Sequence, residues 1–143
     1  MTQDQRRITL IARDARSAAR DWDESNPNQR IIFIDAFQFL QYAVERAVQE
    51  AAEDLARVII DRVGTPLQFL DVLSKLPVEF VGDVLFILEN GSAYLSSIGR
   101  GGDRVLYALN EHDVEFYLHT NSLVWPEGTP AVRISAAAIA QSA

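Results

Sequence analysis

Between Asn26 and Gly64 the apolar residues recur with the period of a helix, and no other feature constrains the fold of this chain as strongly. On a wheel of about 100° per residue, Phe33, Phe37, Leu40, Val44, Val48, Ala51, Leu55 and Val58 share one narrow face. Both ends carry helix punctuation. Asn26, Pro27 and Gln29 suit an N-cap, a first helical position and a capping-box partner, and Gly64 before Thr65-Pro66 suits a C-terminal stop. The spacing therefore predicts one helix from Pro27 to Val63, roughly 55 Å long at about 1.5 Å per residue. A globule of 143 residues is only about 35 to 40 Å across, so such a helix must project, kink or be covered by a second copy. Its C-terminal half carries i,i+4 pairs, Arg46/Glu50, Glu53/Arg57 and Arg57/Asp61, that fit a solvated back face. Its N-terminal half adds Ile31, Ile32, Phe39 and Tyr42 off the main stripe and needs cover on two sides.

Residues 3–22 have the pattern of a first helix, with Ile8, Ile11, Ala12, Ala15, Ala18, Ala19 and Trp22 on one stripe and Arg6, Arg13 and Arg20 recurring on its flank. A polar turn over Asp21 to Asn28 would make these two helices an antiparallel hairpin. A different parse starts from Arg30-Ile-Ile-Phe-Ile-Asp35, which resembles the buried strand ending in an acid at the start of metal-dependent nuclease folds such as the NYN/PIN group. That resemblance covers about six residues. It implies further acids at the ends of other parallel strands, whereas the sequence that follows has antiparallel character, so the helical parse is preferred.

Thr65-Pro66-Leu67-Gln68 repeats the cap logic and opens a short third helix carrying Phe69, Val72, Leu73 and Leu76, which Pro77 ends. Beyond Pro77 the period changes to that of strands. Val78 to Glu89 reads as a strand, Asn90-Gly91 as a type I′ hairpin turn, and the implied register sets Glu89 opposite Ser92, Ile87 opposite Tyr94 and Leu85 opposite Ser96. Ser92 to Ile98, Arg104 to Leu109, Val114 to Thr120 and Ala131 to Ile134 continue as strands, and the tail from Ser135 reads as a helical turn or an extended arm. The expected fold is α+β, in one domain: an N-terminal helical hairpin with one very long helix and a short third helix over 1–76, packed on a C-terminal antiparallel β-meander of four to five strands over 77–134, then a tail over 135–143. Both faces of that sheet are apolar, and one helical layer cannot cover both.

The chemistry in the sequence is sparse. Cysteine is absent, which removes disulfides and thiolate chemistry and fits a reducing compartment. With no apolar leader-like run near the start and no span of about 20 apolar residues, a cytoplasmic protein away from the membrane is expected. The formal charge of -7 disfavours general affinity for nucleic acid. Residues 1–20 are nevertheless net +3, so a nucleic-acid contact would fall to Arg6, Arg13 and Arg20. Gly99 to Gly102 lacks a Walker Lys-Ser/Thr and reads as a hairpin loop. His112 and His119 are expected too far apart to share a metal, and Ser96 and Ser97 have no nucleophile elbow, so no catalytic residue, metal site or cofactor is assigned.

What remains is binding. The surplus of apolar surface favours a small acidic cytoplasmic interaction module, of adaptor, inhibitor, immunity or chaperone type, that self-associates or meets a basic protein partner through Ile31, Ile32, Phe39, Tyr42 and Trp125. The alternative is a small-molecule-binding domain or enzyme with a pocket between helices and sheet, using Tyr94, Arg104, Tyr107 and His119 as polar contacts.

Overall fold

Three short runs rich in β-branched residues, Ile8–Arg13 (β1), Arg30–Asp35 (β2) and Leu55–Asp61 (β3), form parallel strands at the centre and one edge of a single sheet. In the computed structural model, which describes residues 8–14, 22, 30–40, 55–77, 80–99, 101–120 and 132–141, four further strands complete it. These are Asp83–Ile87 (β4), Ala93–Ile98 (β5), Arg104–Leu109 (β6) and Val132–Ile134 (β7). The order is β2-β1-β3-β4-β5-β6-β7, parallel from β2 to β4 and antiparallel from β4 to β7.

This architecture overturns the expected helical half. Residues 8–13, assigned to a first helix, are strand β1. The predicted long helix begins as β2, continues into a helical turn at Ala36–Gln38, and has become β3 by Leu55, so among the described residues there is neither a long helix nor an N-terminal helical hairpin. Residues 41–54 lie outside the described residues. The physical reason is that Ile31 to Ile34 and Val58 to Ile60 are continuous apolar runs. A strand covered on both faces needs just such a run, and over so short a span the helical wheel is satisfied equally well. The strand parse of Arg30 to Asp35 is the one the chain adopts. The Arg57/Asp61 pair, expected on a wet helix face, is instead two buried residues of β3, and Arg57 donates from Nε to Thr9 Oγ1 at 3.2 Å.

In-register pairing sorts the sheet into two apolar faces. Leu10, Val58, Ile60, Val84 and Phe86 share the first with Tyr94 and Leu106; Ile11, Ile59, Leu85, Ile87 and Leu95 share the second. The first is covered by helix α1, Pro66–Ser74, by the terminal helix α3, Ala136–Gln141, and by Phe39. The second is covered by helix α2, Glu111–Thr120, with Trp22 against it. The apolar excess on both sheet faces is thus enclosed by helices of the same chain.

Local punctuation explains the helices. Thr65 Oγ1 accepts from Gln68 N–H at 3.2 Å and Gln68 Oε1 accepts from Thr65 N–H at 2.8 Å, a complete capping box with Pro66 in the first turn. The expected fourth strand over 114–120 is α2, because Asn110 caps it: its Oδ1 accepts from Asp113 N–H at 2.7 Å, and Asp113 Oδ2 accepts from Asn110 N–H at 3.2 Å. Glu111 and Asp113 then lie in the first turn and His119 in the last, as the helix dipole favours.

The hairpin after β4 is also one residue out of the expected register. Ile87 pairs with Ala93, Phe86 with Tyr94 and Leu85 with Leu95. Only Gly91 takes a positive φ, 91°, so the turn cannot be type I′, which needs two such residues. Gly91 N–H donates to Leu88 O at 3.0 Å, Leu88 N–H donates to Ser92 O at 2.8 Å, and Asn90 Oδ1 accepts from Ser92 N–H at 3.0 Å. The resulting three-residue loop sets Tyr94 on the face of Phe86 and Phe69, where the three rings stack 5.3 to 6.5 Å apart. No helix among the described residues is long and apolar enough to cross a membrane.

Candidate functional site

The strand order creates one special place. From β1 the chain leaves toward β2 on one side, and from β3 it leaves toward β4 on the other, so the connections after β1 and β3 diverge and leave a crevice at their carboxyl ends. In open α/β sheets, ligands bind where the strand order reverses in this way. A cleft of about 350 Å³ occupies that position. Asp14 enters it directly after β1, Asp35, Ala36, Phe37 and Leu40 at and after the end of β2, and Val63, Gly64 and Gln68 after β3. Its size is at the lower end of small-molecule sites.

The loop that follows β3 is built tightly. Arg62 takes a left-handed φ of 61°, unusual for a side-chain-bearing residue, while its N–H still donates to Ile87 O at 2.9 Å. Gly64 has φ 83°, and a Cβ there would stand 3.0 Å from Leu40 Cδ1 and 3.1 Å from Gln68 Oε1, two of the cleft walls. Glycine at 64 therefore serves the backbone and keeps the cleft open.

Charged residues line up along the same carboxyl edge. Arg13 is the cross-strand partner of Asp35 on one side and of Asp61 on the other. Arg13 stacks its guanidinium 4.0 Å from the centre of the Phe33 ring. Asp61 is fully buried: Oδ2 accepts from Trp22 Nε1 at 3.2 Å, and Oδ1 lies 3.6 Å from Arg62 Nε without a hydrogen-bond partner among the described residues. Asp14, Asp35 and Asp61 thus close three adjacent parallel strands, which is the arrangement the nuclease resemblance implies. They do not converge, however: no group of three or more His, Asp or Glu able to hold a metal exists among the described residues. Asp61 is turned to Trp22 and Arg62, whereas Asp14 and Asp35 face the cleft.

At the opposite end of the second face lies a buried polar cluster. Thr9, Arg57 and Asp83 are cross-strand neighbours on β1, β3 and β4. Tyr117, 1% exposed on α2, donates its hydroxyl to Asp83 Oδ2 at 2.6 Å, and Arg57 stands over its ring at 5.8 Å. Burial first, then the Asp83 charge and hydrogen bond, push the Tyr117 pKa well above the ordinary tyrosine range, with Arg57 opposing. These groups tie helix to sheet.

The polar contacts expected from sequence do not meet. Tyr94 and Tyr107 lie on opposite faces of the sheet, since Tyr94 pairs with Ala108 and Tyr107 with Leu95. Arg104 is a structural clamp: its guanidinium donates to Phe80 O at 3.0 Å, Gly82 O at 3.1 Å and Ser96 Oγ at 3.2 Å, and covers the Phe80 ring. Burial lowers its pKa, with Asp83 opposing. His119 is exposed in the last turn of α2, on the same helix as His112 and roughly 10 Å away at the helical rise.

Of the expected interface residues, Phe39 is fully buried within its own chain, Ile31 packs into the second core and Ile32 is 40% exposed. Tyr42 and Trp125 lie outside the described residues, as do Arg6 and Arg20. Arg13 belongs to a strand, so the sevenfold helical spacing that joined the three arginines into a strip does not hold there. The residues that do line the cleft, Asp14, Asp35, Phe37 and Val63, were not singled out as a site. The signal for them is that β2 and β3 end at an acid, Asp35 and Asp61, and that Asp14 directly follows β1. No protein-family model, curated protein or solved structure matches this chain.

Proposed function

We propose that this chain is a small-molecule-binding domain whose ligand sits in the cleft between the carboxyl ends of β1 and β3. The observation that carries this is the coincidence of a concave site of about 350 Å³ with the point where strand order reverses. The backbone supports it, because left-handed residues at Arg62 and Gly64 shape the wall contributed by β3. A cytoplasmic setting belongs to the same proposal and draws on the cysteine-free composition.

The test is a ligand-observed NMR fragment screen on the wild type and on Val63→Phe, which fills the cleft from its β3 side. Fragments that bind the wild type and lose contact with the variant, at an unchanged melting temperature, support the reading. A screen whose hits bind both proteins equally removes it.

One observation favours a second reading, a protein-contact role. Phe37 is 62% exposed directly beyond β2, and Ile32, 40% exposed, lies on β2 at the edge of the described sheet. An edge strand with apolar neighbours can receive another chain, and a charge of -7 would steer a basic partner or be overcome in a homo-oligomer. Sedimentation decides the self-association arm: a mass independent of concentration, unchanged in Phe37→Asp, excludes it.

A further inference from the structure

We propose that the cleft takes a neutral, largely apolar small molecule that presents a hydrogen-bond acceptor, such as a carbonyl oxygen, to the side-chain amide of Gln68. This rests on the cleft being a ligand site and adds the chemical class of its occupant. The two lining carboxylates, Asp14 and Asp35, already have interaction partners within the chain, so neither calls for a cationic ligand, while their charge opposes an anion.

Gln68 is the lining group with hydrogen-bonding capacity to give. Its Oε1 accepts from Thr65 N–H at 2.8 Å, which fixes the carboxamide with its oxygen turned to the backbone. A Cβ at position 64 would stand 3.1 Å from that oxygen, so Gly64 makes room for the amide against the loop. The capping box thus spends the acceptor end of Gln68 and leaves its Nε2 donors without a partner among the described residues. A ligand that covers this amide without an acceptor strips water from it and returns nothing, so the cleft selects for an acceptor.

The rest of the lining asks for hydrocarbon. Ala36, Phe37 and Leu40 follow β2 and Val63 follows β3, so a ring or short chain held between them meets apolar wall on either side. Phe37, 62% exposed, extends that apolar surface outward from the cleft.

The experiment uses the full chain with four probes of similar size: acetophenone, which carries a carbonyl, ethylbenzene, which has no acceptor, phenylacetate as an anion and phenethylamine as a cation. Titration calorimetry and ligand-observed NMR read the wild type, Gln68→Glu and Val63→Phe. Gln68→Glu keeps the capping box, because a carboxylate at that position accepts from Thr65 N–H equally well, and removes the Nε2 donors. The expected result is that acetophenone binds the wild type at least about threefold more tightly than the other three probes, loses about fivefold or more of its affinity in Gln68→Glu at an unchanged melting temperature, and is excluded by Val63→Phe, while the affinity of ethylbenzene is the same in wild type and Gln68→Glu.

Equal binding of acetophenone and ethylbenzene to the wild type overturns the proposal, and that comparison needs no variant. Unchanged acetophenone affinity in Gln68→Glu overturns it as well, as does tighter binding of phenethylamine or phenylacetate. If any of these probes is nevertheless lost in Val63→Phe, the cleft remains a ligand site and only its chemical class fails. If none binds, or none responds to Val63→Phe, both readings fail.

Discussion

Replacing Tyr117 by phenylalanine isolates the hydrogen bond that fastens α2 to the sheet. The ring is 1% exposed and stays in place, packed in the core that includes Ile59, Leu85 and Val114; only the hydroxyl that donates to Asp83 Oδ2 at 2.6 Å is lost. A hydrogen bond to a charged acceptor contributes about 1.5 to 3 kcal/mol, and its loss strips one donor from a carboxylate that sits half-buried beside Arg57. The expected cost is therefore about 2 kcal/mol. With a urea slope of about 2 kcal/mol/M for a small domain, the unfolding midpoint falls by about 1 M.

The same substitution has a pH signature. Folding raises the Tyr117 pKa above the ordinary value of about 10, so above pH ~10 the unfolded chain releases a proton that the folded chain retains. The contribution is complete below that pH and is lost as pH rises beyond it, at up to about 1.4 kcal/mol per pH unit. Urea unfolding followed by circular dichroism between pH 7 and 11 should show this alkaline decline in the wild type and a shallower one in Tyr117→Phe. A double-mutant cycle with Asp83→Asn should return a coupling of about 1 kcal/mol or more. A loss below about 0.5 kcal/mol at pH 7, or an alkaline limb as steep in Tyr117→Phe as in the wild type, would refute the assignment.

Two further substitutions test the scaffold. Phe69→Ala empties the centre of the first core, where the ring is fully buried and stacked on Phe86 at 5.3 Å; it should cost about 3 to 5 kcal/mol by chemical denaturation, and a cost under 1 kcal/mol would mean that α1 does not pack there. Arg104→Lys keeps the charge but cannot reproduce the planar fork that reaches Phe80 O, Gly82 O and Ser96 Oγ together, so it should destabilise by about 1 to 3 kcal/mol, and a melting temperature equal to wild type would show the clamp to be dispensable.

How much of this was legible in the sequence depends on how far each signal reaches along the chain. The capping box of Thr65 and Gln68, the breadth of α1 and the existence of strands at 83–87, 93–98 and 104–109 all follow from contacts a few residues apart. Local reading failed where two structures satisfy the same residues. Ile31 to Ile34 and Val58 to Ile60 place apolar groups on every face, which suits a doubly covered strand as well as a helix stripe. Val114 to Thr120 reads locally as a strand, yet Asn110 caps a helix there with the same side-chain oxygen that serves turns. At Asn90-Gly91 the turn residues were right and the register was not, since one positive φ in place of two moves every later side chain to the other face.

The sequence by itself determined the composition limits, no cysteine and a charge of -7, together with the local stops and caps that divide the chain into short elements. Only the tertiary structure decided which elements are neighbours. Asp14, Asp35 and Gly64 are far apart along the chain and share a cleft because β1, β2 and β3 pair in parallel and in register, with their carboxyl ends together. That pairing depends on both faces of each strand finding cover at once, a condition set by the packing of α1, α2 and α3 against the sheet and invisible to any window of a dozen residues.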